Sequence, residues 1–88
     1  MTKRTKLEVT RDILDTLQKN RQVKITHLIY KANLSNNSIK PYIEYLLKNK
    51  MMKEVMDRDK RFFKITLKGN EFLIEFNKIK IFSESFGM

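Results

Sequence analysis

The chain has 88 residues, which suits one domain, and its 41% apolar content is enough for a single core. Its 19 lysines and arginines oppose 10 carboxylates, and the formal net charge of +9 favours polyanionic partners. The sequence has no cysteine, one histidine and no apolar run of membrane-spanning length. It therefore excludes disulfides and thiolate metal sites, and it predicts no membrane segment.

The first helix is predicted from about Leu7 to Lys19, where apolar side chains recur with a helical period. Its buried stripe consists of Val9, Ile13, Leu14 and Leu17. After a polar connection, Val23 and Ile25 predict a short extended segment that can pair with a later hairpin.

A turn of about three residues separates the next two helices. Thr26 is a suitable N-cap for the second helix, which is predicted to end at Asn33. Asparagine is the best substitute for glycine where a left-handed residue is needed. Leu34 is expected to fill the angle between the helices and Ser35 to cap the third. This is the layout of a helix-turn-helix, whose second helix can lie in the major groove of DNA.

Along the third helix one face is apolar and the opposite face is polar. Pro41 lies in the second turn, where it removes a backbone hydrogen bond. Either the helix has a local kink or its regular part begins nearer Lys40. The unbroken apolar spacing favours the kink. The apolar face consists of Ile39, Tyr42, Ile43, Leu46 and Leu47.

Two short runs, 51–56 and 61–66, carry apolar residues with a period near two and predict a β-hairpin. The residues between them, 57–60, include no glycine, which favours a four-residue loop over a tight two-residue turn. Thr66 is then predicted to cap a final helix, with Gly69 at its third position. That helix is expected to run from Leu67 to about Phe82.

The final helix carries more apolar surface than one small domain buries. The part near Leu73 is expected to pack on the first helix. The remainder predicts a homodimer contact, and the alternative is a monomer whose tail folds over its own core. The candidate interface residues are Phe72, Phe76, Ile79, Phe82 and Phe86.

The element order therefore predicts a mainly α fold with a small β-hairpin. This order of elements is typical of a winged helix-turn-helix with a C-terminal dimerisation helix. Residues 1–66 are expected to form the DNA-binding domain. Residues 67–88 are expected to form a C-terminal helix that belongs partly to the core and partly to the dimer interface.

Three segments resemble small archaeal winged helix-turn-helix proteins: 31–35 (Lys-Ala-Asn-Leu-Ser), 42–47 (Tyr-Ile-Glu-Tyr-Leu-Leu) and 63–73, which contains Lys-Ile-Thr-Leu-Lys-Gly. The resemblance covers residues 5 to 76. That family includes transcription regulators and chromatin-type DNA-binding proteins that dimerise through a C-terminal antiparallel coiled coil. Its members place a glycine after the recognition helix, where this chain has Lys50, so Asn49 is expected to take the left-handed conformation. The short final helix favours a compact dimer over a long coiled coil.

Asparagine matches the hydrogen-bonding edge of adenine, and lysine suits guanine acceptors or phosphate. The alternative is that the polar residues only cap and solvate the helix. Asp57 and Asp59 weaken the field of the hairpin tip, so a plain solvated turn remains an alternative there. The candidate DNA-binding residues are Ser35, Asn36, Asn37, Ser38, Lys40, Glu44, Tyr45 and Lys48 on the recognition helix, Arg58, Lys60 and Arg61 on the wing, and Lys3, Arg4 and Lys6 in the N-terminal tail.

The sequence thus predicts a protein that binds double-stranded DNA as a transcription regulator or a small nucleoid-associated protein. The alternative is a protein–protein interaction module that docks on an acidic partner. No catalytic or metal-ligand pattern is present, so no enzyme activity, cofactor or small-molecule substrate is expected. The N-terminus lacks the apolar segment of a signal peptide, which predicts a cytoplasmic, nucleoid-associated protein.

Overall fold

The computed structural model describes residues 4–85 and residue 87. Four helices and one hairpin follow in the predicted order, which confirms the winged helix-turn-helix fold class. The elements are α1 (Lys6–Lys19), α2 (Ile25–Ala32), α3 (Asn36–Lys48), β1 (Met52–Asp57), β2 (Lys60–Ile65) and α4 (Leu67–Ser85).

Helix α1 begins with a capping box. The side chain of Thr5 accepts a hydrogen bond from the backbone N–H of Glu8, and the Glu8 carboxylate accepts one from the Thr5 N–H, both at 3.1 Å. The backbone hydrogen bond from Thr5 lowers the pKa of the Glu8 carboxyl. These bonds satisfy N–H groups that have no partner within the helix.

A single apolar core joins all the elements. Leu14, Leu28, Ile39, Leu46 and Phe63 have no exposed surface. The predicted stripe of α1 is buried, and Leu73 of α4 is 2% exposed, with α4 packed on α1 as expected. Burial of these side chains is the main stabilising contribution in a domain of this size.

A short three-stranded arrangement supports the wing. β1 and β2 pair antiparallel from Met52 opposite Ile65 to Asp57 opposite Lys60. Val23 pairs with Phe63 through two backbone hydrogen bonds of 3.0 and 2.7 Å. The extended segment predicted for Val23 and Ile25 is therefore confirmed at Val23, whereas Ile25 already lies in α2.

The predicted start of α2 is wrong. The N-cap is Lys24, without a side-chain hydrogen bond, and both Ile25 and Thr26 lie within the helix. The Lys24 carbonyl accepts from the N–H groups of His27 and Leu28 at 3.1 and 3.3 Å. Because the pairing of Val23 holds the chain extended up to this point, the first helical turn follows immediately.

The hairpin turn also differs from the expected four-residue loop. Asp57 pairs with Lys60, so only Arg58 and Asp59 form the turn, with φ of 51° and 65°. Two positive φ values are typical of the tight turns that match the twist of antiparallel strands. Aspartate tolerates this conformation, whereas arginine adopts it at a cost of about 1–2 kcal/mol, which the complete strand pairing offsets.

The left-handed residue after α3 is Lys50, with φ of 58°, and not Asn49, whose φ is −87°. The Lys50 N–H donates to the Leu47 carbonyl at 3.1 Å, and the Met51 N–H donates to the Leu46 carbonyl at 2.9 Å. This Schellman motif requires the left-handed residue directly before Met51, which packs against the core.

At α3 one alternative is excluded, and at α4 the predicted end changes. Helix α3 runs continuously through Pro41, so the alternative start near Lys40 is wrong. Pro41 lies on the exposed side of α3. The backbone hydrogen bond that its missing N–H cannot form is therefore lost on the solvent side of the helix and not in the core. Helix α4 continues past Phe82 to Ser85.

The predicted cap of α4 is confirmed, and it depends on a glycine. The Thr66 hydroxyl accepts from the Gly69 N–H at 3.2 Å. A Cβ atom at position 69 would lie 2.2 Å from the Met51 carbonyl oxygen and 2.7 Å from Cγ1 of Ile65. No side chain fits between α4 and the chain that follows α3.

We predict that Gly69→Ala lowers the free energy of unfolding by about 3 kcal/mol, because backbone atoms must move to admit the methyl group. Urea denaturation measures this change. Lys68→Ala, at an exposed position of the same turn, is the control and should change stability by less than about 0.5 kcal/mol. Equal stability of the two variants would contradict the close packing at Gly69.

Candidate nucleic-acid interface

The turn between α2 and α3 fixes the direction of α3. Asn33 has φ of 54° and ψ of 50°, as predicted, and its N–H donates to the Tyr30 carbonyl at 3.2 Å. The Leu34 N–H donates to the Ile29 carbonyl at 3.1 Å, and the Leu34 side chain packs half-buried against the core. The Ser35 hydroxyl then accepts from the Ser38 N–H at 3.0 Å. The predicted roles of Asn33, Leu34 and Ser35 in this turn are confirmed.

One face of α3 is buried and the opposite face is open to solvent. Ile39, Ile43 and Leu46 are buried against the rest of the domain. All the residues predicted to contact DNA from this helix are exposed: Ser35, Asn36, Asn37, Ser38, Lys40, Glu44, Tyr45 and Lys48. No other described segment of the chain covers this outer face.

The first turns of α3 combine three properties that suit a nucleic acid. Asn36 and Asn37 present amide groups that can both donate and accept. Lys40 adds a positive charge one turn later, and the N-terminus of the helix contributes a partial positive charge. The Ser35 hydroxyl, which caps the helix, also donates to the Ser38 hydroxyl at 2.8 Å.

Farther along α3, two tyrosines differ in solvent exposure. Tyr45 is 52% exposed on the outer face, whereas Tyr42 is half-buried and packs against the core. Since Pro41 has no N–H, the Asn37 carbonyl lacks its usual helical partner.

The cations of the wing are not equivalent. The Arg61 guanidinium lies 2.7 Å from the Glu54 carboxylate and 4.8 Å from the centre of the Phe63 ring. Arg58 lies at the tip and Lys60 directly follows the turn, and neither forms an ion pair within residues 4–85. Arg58 and Lys60 are thus the more available groups for phosphate.

The N-terminal tail is held by the domain. Arg4 pairs with Asp12 of α1 and also donates to the carbonyl of Ala32 at the end of α2. Sequence analysis placed Arg4 in a tail that contacts DNA, whereas in the structure its side chain links two helices. Lys6 is exposed at the first position of α1, and Lys3 lies outside the described residues.

The candidate dimer residues differ in exposure. Phe72 and Phe76 are half-buried, with ring centres 6.3 Å apart, and the Arg11 guanidinium lies 5.7 Å from the Phe76 ring centre. Farther along α4, Ile79 is 66% exposed and Phe82 is 55% exposed. Phe86 lies outside the described residues.

Sequence reasoning gave no role to two lysines of the hairpin. The strand register places Lys53 directly opposite Lys64. Only the pairing of the two strands brings these lysines together. Within its own strand, neither lysine forms a pattern that sequence analysis could have noticed.

Other kinds of site are absent from the described part of the chain. It contains no group of three or more His, Asp or Glu side chains able to hold a metal ion. None of the helices between residues 4 and 85 has the length and apolar character needed to cross a membrane. His27 is half-buried and lies in a polar cleft of about 450 Å³ between α1 and α2.

Comparison with known proteins agrees with this geometry. The model of the winged helix-turn-helix family matches residues 3–84, so the chain belongs to that family. No curated protein matches the sequence.

Solved structures share the fold. Sso10a-2, a DNA-binding protein from Sulfolobus solfataricus, is similar with 25% identity and a TM-score of 0.79, over 96% of this chain and 87% of that one. The transcriptional regulator BldR from Sulfolobus solfataricus is similar with 16% identity and a TM-score of 0.76, over 91% of this chain and 60% of that one. A MarR family transcriptional regulator from Silicibacter pomeroyi has 18% identity and a TM-score of 0.76, over 90% of this chain and 56% of that one. The chain thus spans little more than half the length of these two regulators.

We predict that Arg4→Ala destabilises the domain by about 1 kcal/mol, because it removes both the pair with Asp12 and the hydrogen bond to the end of α2. The melting temperature should fall by about 5 °C. Lys6→Ala, which removes an exposed charge two residues away, should leave it nearly unchanged. A melting temperature for Arg4→Ala equal to that of the unaltered chain would show that the tail is not held as described.

Proposed function

We propose that the protein binds double-stranded DNA with the outer face of α3 in the major groove and the wing on the adjacent backbone. The exposed amides of Asn36 and Asn37 contact base edges, and Lys40 contacts a base or a phosphate. Arg58 and Lys60 contact phosphates at the wing, while Arg61 contributes less because Glu54 neutralises it.

The observation that carries this proposal is the open polar face of α3 on a helix-turn-helix whose other face packs against the core. The net charge of +9 supports it, since cations that replace condensed counterions drive association with DNA. The similarity to Sso10a-2, a DNA-binding protein, also supports it.

The role on DNA is that of a transcription regulator or of a nucleoid-associated protein, and a selection from random duplexes separates the two. A regulator enriches a symmetric site whose half-sites match two recognition helices. A nucleoid-associated protein enriches no site and binds all duplexes with a steep salt dependence.

We predict that the combined substitution Asn36→Ala, Asn37→Ala and Lys40→Ala weakens duplex binding about 10- to 100-fold at 50 mM salt, because direct base contacts are lost. The slope of log affinity against log salt should fall by about 0.9 if Lys40 contacts a phosphate, and should change less if it contacts a base. Fluorescence anisotropy with the sequence enriched in the selection, or with a random duplex if none is enriched, measures both values.

Lys68→Ala is the matched control, since it removes the same single charge from an exposed position on α4. Its affinity should stay close to that of the unaltered chain. If the triple variant binds as tightly as this control, α3 does not read DNA. If the unaltered chain retards no duplex at 50 mM salt, DNA binding itself is refuted.

We further propose that residues 67–88 serve partly as a dimer interface that joins two DNA-binding units, residues 1–66. The distal half of α4 projects apolar side chains that its own domain does not cover: Ile79 is 66% exposed and Ile81 is 63% exposed. Burying each such side chain between subunits contributes about 1.5–3 kcal/mol. Phe72 and Phe76 would border this contact and stay packed on their own domain.

We predict that the protein sediments as a dimer of twice 10.6 kDa and that Ile79→Glu converts it to a monomer. Burying an unpaired carboxylate at the interface costs more free energy than the apolar contact contributes. Asn77→Glu introduces the same charge in the same turn and should leave the dimer intact. Sedimentation of the unaltered chain as a monomer at micromolar concentration would contradict this interface.

A further inference from the structure

The two faces of the hairpin carry different side chains. Met52, Phe63 and Ile65 point to the core, since Met52 and Phe63 are buried and Ile65 packs against them. Side chains alternate between faces along a strand, so Lys53 and Val55 of β1 point the other way. The same alternation puts Phe62 and Lys64 of β2 beside them. We call this surface, with Lys24, the outer wing face.

An apolar pair lies at the centre of the outer wing face. Val55 is directly opposite Phe62 in the strand register, and both side chains are half-buried. Neither belongs to the core or to the residues packed against it. The Lys24 ammonium lies 5.9 Å from the centre of the Phe62 ring, so a cation already approaches the aromatic ring.

Two like charges lie directly beside this pair. Lys53 is directly opposite Lys64, and like charges at opposite positions of a hairpin repel each other. Within residues 4–85, neither lysine forms an ion pair. The nearest carboxylate in β1, Glu54, points to the other face and is bound to Arg61.

Asp57, at the far end of β1, accepts a hydrogen bond from the Gln22 side chain at 3.1 Å. Asp57 is the carboxylate of β1 on this face, and within residues 4–85 it forms no ion pair with a lysine of the outer wing face. A bound polyanion would remove the repulsion between Lys53 and Lys64. The apolar and aromatic pair Val55 and Phe62 would add contact with a part of the ligand that is less polar than phosphate.

We propose that the outer wing face binds single-stranded nucleic acid. The lysines contact successive phosphates, and an unpaired base stacks on the Phe62 ring beside Val55. Single strands expose base faces, whereas a duplex would offer this surface only its backbone and would leave Phe62 without a role. The surface shares no residue with α3 or with the turn at Arg58 and Asp59. Lys60 of the proposed duplex site lies on the same face of β2, next to Phe62, so the two sites adjoin at Lys60.

Fluorescence anisotropy with a labelled 20-nucleotide oligothymidine tests this proposal on the full chain at 50 mM salt. Phe62→Leu keeps an apolar side chain but removes the ring, and it should weaken binding of the oligothymidine about 5- to 20-fold. The combined change Lys53→Gln and Lys64→Gln should lower the salt slope by about 1.4, which is 0.7 for each phosphate contact on a single strand.

Four further comparisons complete the test. Met56→Ala, on the other face of β1, should bind oligothymidine like the unaltered chain. Phe62→Leu should leave duplex binding unchanged, and the triple α3 variant should retain oligothymidine binding. The lysine double variant should melt at the same or a higher temperature, because a like-charge pair has been removed.

Oligothymidine binding by Phe62→Leu that equals that of the unaltered chain would overturn the proposal. An equal loss on duplex and single strand would also overturn it, because the surface would then serve the duplex backbone. If the triple α3 variant loses both ligands, a single site on α3 explains all binding and the outer wing face is not a site. Loss of duplex binding alone in that variant supports both proposals separately.

Discussion

The left-handed backbone of Asn33 is the local feature on which the proposed DNA-binding surface depends. It lets the chain end α2 with two backbone hydrogen bonds and start α3 at Asn36, three residues after Asn33, with Ser35 as cap. Between them Leu34 turns into the core, which holds the two helices at a fixed angle. The direction of α3, and therefore which of its faces stays open, follows from these contacts and from the burial of Ile39 and Leu46.

Much of this fold could be predicted from local sequence. The turn at Asn33, the cap at Ser35 and the cap at Thr66 each depend on residues a few positions apart, so one segment contains the whole signal. The extended segment at Val23 was also predictable, because its apolar character matched the hairpin that follows. These are the places where local preference and tertiary structure agree.

The wrong predictions have a common cause in contacts between distant segments. Lysine and arginine do not favour a positive φ, yet Lys50 and Arg58 both adopt one. At Lys50 the packing of Met51 against the core requires this conformation, and at Arg58 the pairing of Asp57 with Lys60 requires it. Arg4 looked like part of a free basic tail, yet its partners Asp12 and Ala32 lie on two different helices. The like-charge pair on the outer wing face likewise appears only once the strand register is known.

Some cations of the protein form ion pairs with its own carboxylates, and others do not. Several cations, among them Arg61, are neutralised by carboxylates within the described chain. Lys40 and Lys48 on α3 and Arg58 and Lys60 on the wing form no such pair within residues 4–85. These unpaired cations can attract DNA to the open helix and the wing.

The central claim is that the outer face of α3 meets duplex DNA. Titration of the isotope-labelled protein with a short duplex, followed by amide chemical shifts, tests it residue by residue. The largest shifts should fall on Asn36, Asn37, Lys40 and the turn at Arg58, with small shifts along the distal half of α4. Shifts confined to α4, or absent from α3 at saturating duplex, would contradict the account.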